Sequence, residues 1–199
     1  MILAAAAAGY ILGAIPWAYL VGRRLYDVDI RRQGSGNPGA TNVFRVLGLP
    51  AGALVLAGDV LKGWLAVILG SALGGGDDLI TVVAGLAAIL GHTFSVFLRF
   101  EGGKGVATAA GVLLALMPLK ILGLLLLVWV VALLATRYVS VASVAAAAGF
   151  PLFVAYFEQP PSYLFFSLVA AGLIVYRHRS NILRLIERRE LRVSWRRGG

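Results

Sequence analysis

Stretches of apolar residues long enough to cross a bilayer recur along the whole chain, separated only by short charged segments. They lie near residues 2–22, 50–73, 79–98, 105–119, 121–136, 139–157 and 162–176. A helix needs about 20 residues to cross the hydrocarbon, so the first three and the sixth are full spans, and the others are short. Residues 105–136 read as two short, tilted or broken passes turning at Met117–Lys120. A single helix of that length would run to roughly 48 Å, and Pro118 interrupts it. Of 199 residues, 60% are apolar and only 14% are charged; soluble domains carry about 25% charged residues. A soluble fold of this size has nowhere to hide so much apolar side chain. The expected fold is all-α, a polytopic integral membrane protein of about seven transmembrane helices forming a single domain over 1–199.

Charge placement decides the count. With seven spans, 16 of the 18 basic residues fall on one side, in the loops 23–49 and 99–105, at Arg137, and in the tail 177–199. Lys120 lies opposite, together with Asp77, Asp78 and Glu158, while Lys62 lies within the second span. The positive-inside rule then puts the N-terminus outside and the C-terminus in the cytoplasm; six spans would scatter the charges over both faces. The run Ala4–Leu20 is a span rather than a secretory signal, because its basic residues, Arg23 and Arg24, follow the apolar stretch. The tail 182–197 mixes apolar and Arg positions, which fits either a helix lying on the anionic leaflet or a solvated extension. Gly9-x-x-x-Gly13 fits close helix packing and equally fits ordinary membrane-helix composition.

Several function classes drop out. The chain has no cysteine, so it has no disulfide framework, thiolate metal site or Cys nucleophile. With only His92 and His178, no zinc centre is expected. The net charge of +9 sits on one membrane face, so it orients the protein and does not point to nucleic acid. Residues 34–39 match G-x-G-x-x-G, but a membrane span precedes them where a dinucleotide fold needs a strand.

Three polar segments on the cytoplasmic side need a reason: RRQGSGNPGATNVFR (31–45), GHTFSVFLRFEGGKGVAT (91–108) and RHRSNILR (177–184). Glycine-rich backbone with interspersed Lys and Arg suits an anion, because small residues expose backbone N–H groups and helix N-termini add positive potential. Gly102-Gly103-Lys104-Gly105 stands directly before a helix, the place for a phosphate. Asp59 and Lys62 lie i,i+3 within a span, where they neutralise each other. They mark a functional site or a packing pair with equal weight. His92 fits a base, a phosphate donor or a packing residue, and His178 lies in a polar setting beside Arg177, Arg179 and Asn181.

The stretches GAIPWAYLVGR (13–23), DIRRQGSGNPGATNVFRVLG (29–48), AGDVLKG (57–63), GHTFSVFLRFEGGKGVAT (91–108) and HRSNILRLIERRE (178–190) together resemble the bacterial acyl-phosphate-dependent glycerol-3-phosphate acyltransferases. The resemblance covers nearly the whole chain, and the ordered combination is specific where each piece alone is weak. It implies transfer of an acyl group from acyl phosphate, not acyl-CoA, to the 1-hydroxyl of glycerol 3-phosphate. The products are lysophosphatidic acid and phosphate, made at the cytoplasmic face of the inner membrane without metal or cofactor. Implied partners are the two substrates, membrane lipid and the enzyme supplying acyl phosphate. The resemblance makes Gly102, Gly103, Lys104 and Gly105 the glycerol-phosphate loop, Ser35 and Arg45 residues needed for activity, His178 and Asn181 a polar pair, and Glu190 structural.

From the residue types, Lys104 and Arg45 are expected on the substrate phosphates, with Ser35, His178 and Asn181 as hydrogen-bond partners. Gly36, Asn37, Gly39, Thr41, Asn42 and His92 are expected to complete the substrate pockets, and backbone N–H groups of 34–39 and 102–105 to serve as further donors. Two departures from the family pattern stand out. Glu101 occupies a usually basic place, and Arg188 a place where glycine is usual. No carboxylate–histidine pair is visible, so no single side chain is expected as a classical base; His178, His92 and a substrate phosphate are the candidate proton acceptors. A transporter of an organic phosphate is the competing reading, favoured by intramembrane Asp59 and Lys62.

Overall fold

Each apolar segment is helical in the computed structural model, which describes residues 1–193; Arg196 and Arg197 of the basic tail lie outside the described residues. The chain divides into two compact units, Met1–Met117 and the part from Pro118 onward. The first holds α1 (Ile2–Ala14), α2 (Trp17–Leu25), α3 (Ala40–Leu47), α4 (Leu49–Gly74), α5 (Asp78–Thr93) and α6 (Val106–Leu116). The second holds α7 (Leu119–Thr136), α8 (Val139–Tyr156), α9 (Pro161–Arg177) and α10 (Arg179–Ile186). There is no strand among the described residues. Among the described residues, five stretches are long and apolar enough to cross a membrane: Ile2–Leu25, Leu49–Gly74, Asp78–Leu98, Leu119–Thr136 and Val139–Tyr156. The fourth and seventh expected spans are the shorter apolar helices α6 and α9. The 11 residues of α6 rise only about 16 Å.

The first expected span is not one helix. Pro16 cannot continue the hydrogen-bond ladder, so α1 stops at Ala14 and α2 restarts at Trp17. The break leaves carbonyls that must find donors at membrane depth. Ser95 Oγ donates to Ala14 O at 2.6 Å, and Lys62 Nζ donates to Ile15 O at 2.8 Å. Elsewhere α1 packs backbone to backbone on α5. A Cβ on Gly9 or Gly13 would overlap the carbonyls of Ala84 or Ala88, and one on Gly91 would overlap Tyr10 O. The packing reading of Gly9-x-x-x-Gly13 is therefore the right one. The same rule joins α4 to α6, where Gly63 meets Thr108 O and Gly111 meets Val60 O.

In the second unit Pro118 separates α7 from what precedes it, at the expected turn. Of α7 only Ile121 and Leu125 are buried, so an all-round apolar helix presents most of its surface to lipid. Phe150 and Phe166 meet edge to face, 5.7 Å between centroids, and join α8 to α9. The described part of the tail folds back on its own unit. After α10 it turns back on the α7–α8 corner, where Arg192 Nε donates to Tyr138 OH at 2.8 Å and Val193 N to Arg137 O at 2.8 Å.

Candidate active site

The first glycine-rich loop is folded around one side chain. Asn42 is buried on the inner face of α3. Its amide donates to Ile30 O at 3.1 Å and Gln33 O at 2.9 Å, and its Oδ1 accepts from Ser35 N at 2.9 Å. Both amide protons of Asn42 shape its own loop. The loop's backbone donors are likewise engaged, with Gly36 N on Gln33 O, Asn37 N on Ser35 Oγ and Gly39 N on Asn37 O. So Gly36 and Gly39 serve the turn, not an oxyanion. Gly34 and Gly36 hold positive φ (58° and 72°), which favours glycine. Facing outward are Ser35, Thr41 and Arg45, all exposed, with Thr41 and Arg45 one turn apart on α3. Upstream, Arg31 holds Asp29 through paired contacts of 3.0 and 2.8 Å and stacks 4.7 Å from the Tyr19 ring. These hydrogen bonds, against a smaller opposing effect of burial, bring the Asp29 carboxyl down to about 2.

The second loop doubles back on the end of α5. Arg99 and Phe100 both take positive φ (54° and 66°), a conformation costly for residues with a Cβ. It is held here by Phe100 N on Ser95 O and Glu101 N on Leu98 O. The next two N–H groups point inward, Gly102 N to Thr93 O and Gly103 N to His92 O, each at 3.1 Å. Both N–H groups are thus engaged within the fold, on the side of the loop away from solvent-facing Glu101. Their glycines are steric: a Cβ on Gly102 would overlap His92 O. One on Gly103 would overlap His92 Nε2 and come within 3.0 Å of Pro38 O. Gly103 thus lies between His92 and Pro38, and that contact brings the two glycine-rich loops together. Gly105, with φ 81°, starts α6. Lys104, half-buried, stands between them.

Beneath the loops lies a contact that sequence spacing cannot show. Lys62 Nζ is 2.7 Å from Asp59 Oδ1 and 2.9 Å from His92 Nδ1, and His92 Nδ1 is 3.4 Å from Asp59 Oδ1. Asp59 and Lys62 are neighbours on α4, as expected. His92 reaches them from α5, so a buried carboxylate–histidine contact does exist. It differs from a base-activating pair, because the nearer partner of Nδ1 is an ammonium and not the carboxylate.

His178 and Asn181 belong to the second unit. His178 is buried at the junction of α9 and α10, and its Nδ1 lies 2.7 Å from Ile174 O. A carbonyl only accepts, so Nδ1 carries the proton. Asn181 Nδ2 donates to Glu190 Oε1 at 2.6 Å, Ser140 Oγ to the same oxygen at 3.0 Å, and Arg184 Nε to Oε2 at 2.8 Å. Burial alone would raise the Glu190 carboxyl. The hydrogen bonds from Asn181, Arg184 and Ser140 together outweigh it and hold the group below its ordinary value. Arg188, with φ 57°, makes the turn that sends Glu190 back to α10.

The model of the glycerol-3-phosphate acyltransferase family matches residues 3–188. That span is nearly the whole chain. The protein belongs to the glycerol-3-phosphate acyltransferase family. Among its relatives, glycerol-3-phosphate acyltransferase 2 of Moorella thermoacetica is 50% identical over 94% of each chain. The glycerol-3-phosphate acyltransferase of Carboxydothermus hydrogenoformans is 42% identical over the full length of both. The fold is shared with PlsY (YgiH), an integral membrane glycerol 3-phosphate acyltransferase with a crystal structure in its glycerol 3-phosphate form. There the TM-score is 0.91 at 42% identity, covering 97% of this chain and 96% of that one. A structure of PlsY in the lysophosphatidic acid form superposes with a TM-score of 0.88.

This chain is thus a multi-pass membrane acyltransferase by family. Arg188 adopts a left-handed conformation that glycine takes without strain. Glu101 is exposed at the outer edge of the second loop. Sequence reasoning missed the partnership of His92 with Lys62 and the inward role of Asn42. The one available signal was the cost of leaving a polar side chain on a buried face without a partner.

Proposed function

We propose that this chain transfers an acyl group from acyl phosphate to the 1-hydroxyl of glycerol 3-phosphate, giving lysophosphatidic acid and inorganic phosphate for phospholipid synthesis. The observation that carries the reading is the meeting of the Ser35–Gly39 and Gly102–Gly105 loops at Pro38 and Gly103. It joins the loop that carries Lys104 to the loop that leads into α3 and Arg45. Acyl phosphate is already activated, so the protein's task is to hold two like-charged molecules together and aim one at the other. Such positioning is worth roughly 7–11 kcal/mol of barrier.

Lys104 and Arg45 neutralise the phosphates, with Ser35 and Thr41 beside them. With the N–H groups of Gly102 and Gly103 turned inward, side chains carry the anions. His178 and Asn181 form the second polar group assigned to the reaction, oriented by Ile174 O and Glu190. The hydroxyl oxygen attacks the acyl carbonyl carbon. The bond from that carbon to the phosphate oxygen breaks, and phosphate leaves with the electron pair. The hydroxyl proton passes to a substrate phosphate oxygen, since a phosphate monoester with its second pKa near 6 can accept it. No covalent acyl-enzyme is needed.

The topology that goes with this has seven spans, the N-terminus outside, and one acyltransferase domain in the inner membrane with its loops in the cytoplasm. There an acyl-phosphate-producing enzyme can deliver its product. The donor test uses purified protein given labelled glycerol 3-phosphate with acyl phosphate or acyl-CoA. Labelled lysophosphatidic acid is expected from acyl phosphate alone; product from acyl-CoA at a comparable rate would reject the donor assignment.

A further inference from the structure

Asp59, Lys62 and His92 take no part in the transfer step, yet all three are buried under the loops that do. Charged side chains at such depth are costly and persist where they act. One duty of Lys62 is visible, the capping of Ile15 O, but that duty does not require a histidine.

The ammonium has three protons and no acceptor capacity. Its three neighbours are Ile15 O at 2.8 Å, Asp59 Oδ1 at 2.7 Å and His92 Nδ1 at 2.9 Å. The first two only accept, and two donors cannot face each other at 2.9 Å. Nδ1 therefore presents its lone pair, and the ring proton is on Nε2. Asp59 neutralises the ammonium so that it can stay buried.

Nε2 in turn lies against Gly103, at the one residue where any Cβ would overlap it. The backbone of His92 holds the same residue through Gly103 N. Ring and backbone thus seat Gly103 together, immediately before Lys104. A small cavity lined by Trp17, Pro38, Asp59, Lys62, His92 and Gly103 runs from the ion pair to both glycine-rich loops.

We propose that Asp59, Lys62 and His92 are positioning residues for the phosphate loop. Lys62 fixes the tautomer and rotation of His92, and His92 holds Gly103, and with it Lys104, where glycerol 3-phosphate binds. This rests on reading Gly102–Gly105 as that phosphate site.

The chain has only two histidines, so nitrogen-15 NMR of histidine-labelled full-length protein is a clean first test. His92 is expected as the Nε2–H tautomer and His178 as the Nδ1–H tautomer, with His92→Gln giving the assignment. In Lys62→Met the His92 preference is lost. Steady-state kinetics supply the second readout. His92→Gln and Lys62→Met raise KM for glycerol 3-phosphate by roughly tenfold while KM for acyl phosphate stays within about twofold. The double variant has a KM no higher than the worse single one, because both act along one path.

An Nδ1–H tautomer at His92 overturns the proposal. So does an unchanged KM for glycerol 3-phosphate in His92→Gln, or a parallel rise in both KM values that follows a loss of melting temperature. Lys62→Met also removes the Ile15 cap. If it does not fold, His92→Gln decides alone, since it leaves the Lys62–Ile15 bond in place. Wild-type protein that acylates no glycerol 3-phosphate would instead remove the underlying functional reading, and the tautomer measurement would still test the network.

Discussion

At the scale of single residues, burial separates groups that build the first loop, such as Asn42, from the exposed Ser35, Thr41 and Arg45 that we propose for the substrates. Asn42 was legible as a member of a polar loop but not as its internal brace. Nothing in SGNPGATN says which of its polar side chains turns inward until α3 is seen to present Asn42 and Val43 to the core. Lys104 was legible both as to place and charge. Lys104→Ala is expected to raise KM for glycerol 3-phosphate by roughly a hundredfold, with Lys104→Arg retaining part of the binding; a KM within twofold of wild type would take Lys104 off the phosphate. Arg188 offers a stability test. Its left-handed backbone costs roughly 1 kcal/mol, partly offset because glycine gains more freedom in the unfolded chain. Arg188→Gly should raise the melting temperature slightly and leave turnover unchanged, and a lower melting temperature would mean that its side chain makes contacts outweighing the strain.

Among the elements, helix positions were readable because apolar runs have a length that only crossing or burial explains. The break at Ile15–Pro16 was less readable, since its stability depends on Ser95 and Lys62, 81 and 47 residues from the carbonyls they cap. The tail after α10 was not readable at all, because a mixed Arg and apolar pattern fits a leaflet as well as a fold. What fixes it is Glu190. Its folded pKa lies below the ordinary glutamate value of 4.5, so its contribution is complete above that value and is lost as pH falls through the folded one. Protection of the Val193 amide, taken relative to its intrinsic exchange rate, is therefore expected to fall on acidification below the ordinary glutamate value, and Glu190→Gln should lower it already at neutral pH. Protection independent of both would leave Tyr138 and Arg137 as the only anchors. Tight packing gives a further expectation for α1. Gly13→Leu would drive a side chain into the Ala88 backbone, so loss of folded protein is expected, whereas full stability would mean that α1 is free to shift off α5.

For the molecule as a whole, membrane class and family were more legible in the sequence than architecture. The distribution of basic residues orients the chain only if α6 and α9 complete crossings as the longer helices do. Because the protein has no cysteine, single substitutions report the topology without background. Arg24→Cys should react with a membrane-impermeant thiol reagent only from the cytoplasmic side, and Asp78→Cys only from outside; the same side for both would break the seven-span account. The central claim is direct transfer between two anions held side by side. It is tested most directly by rapid-quench measurement of phosphate release from acyl phosphate, with and without glycerol 3-phosphate. The account predicts no release from acyl phosphate alone, and one phosphate for each lysophosphatidic acid when both substrates are present. A burst of phosphate matching the enzyme concentration without glycerol 3-phosphate would contradict it, by requiring an acylated side chain.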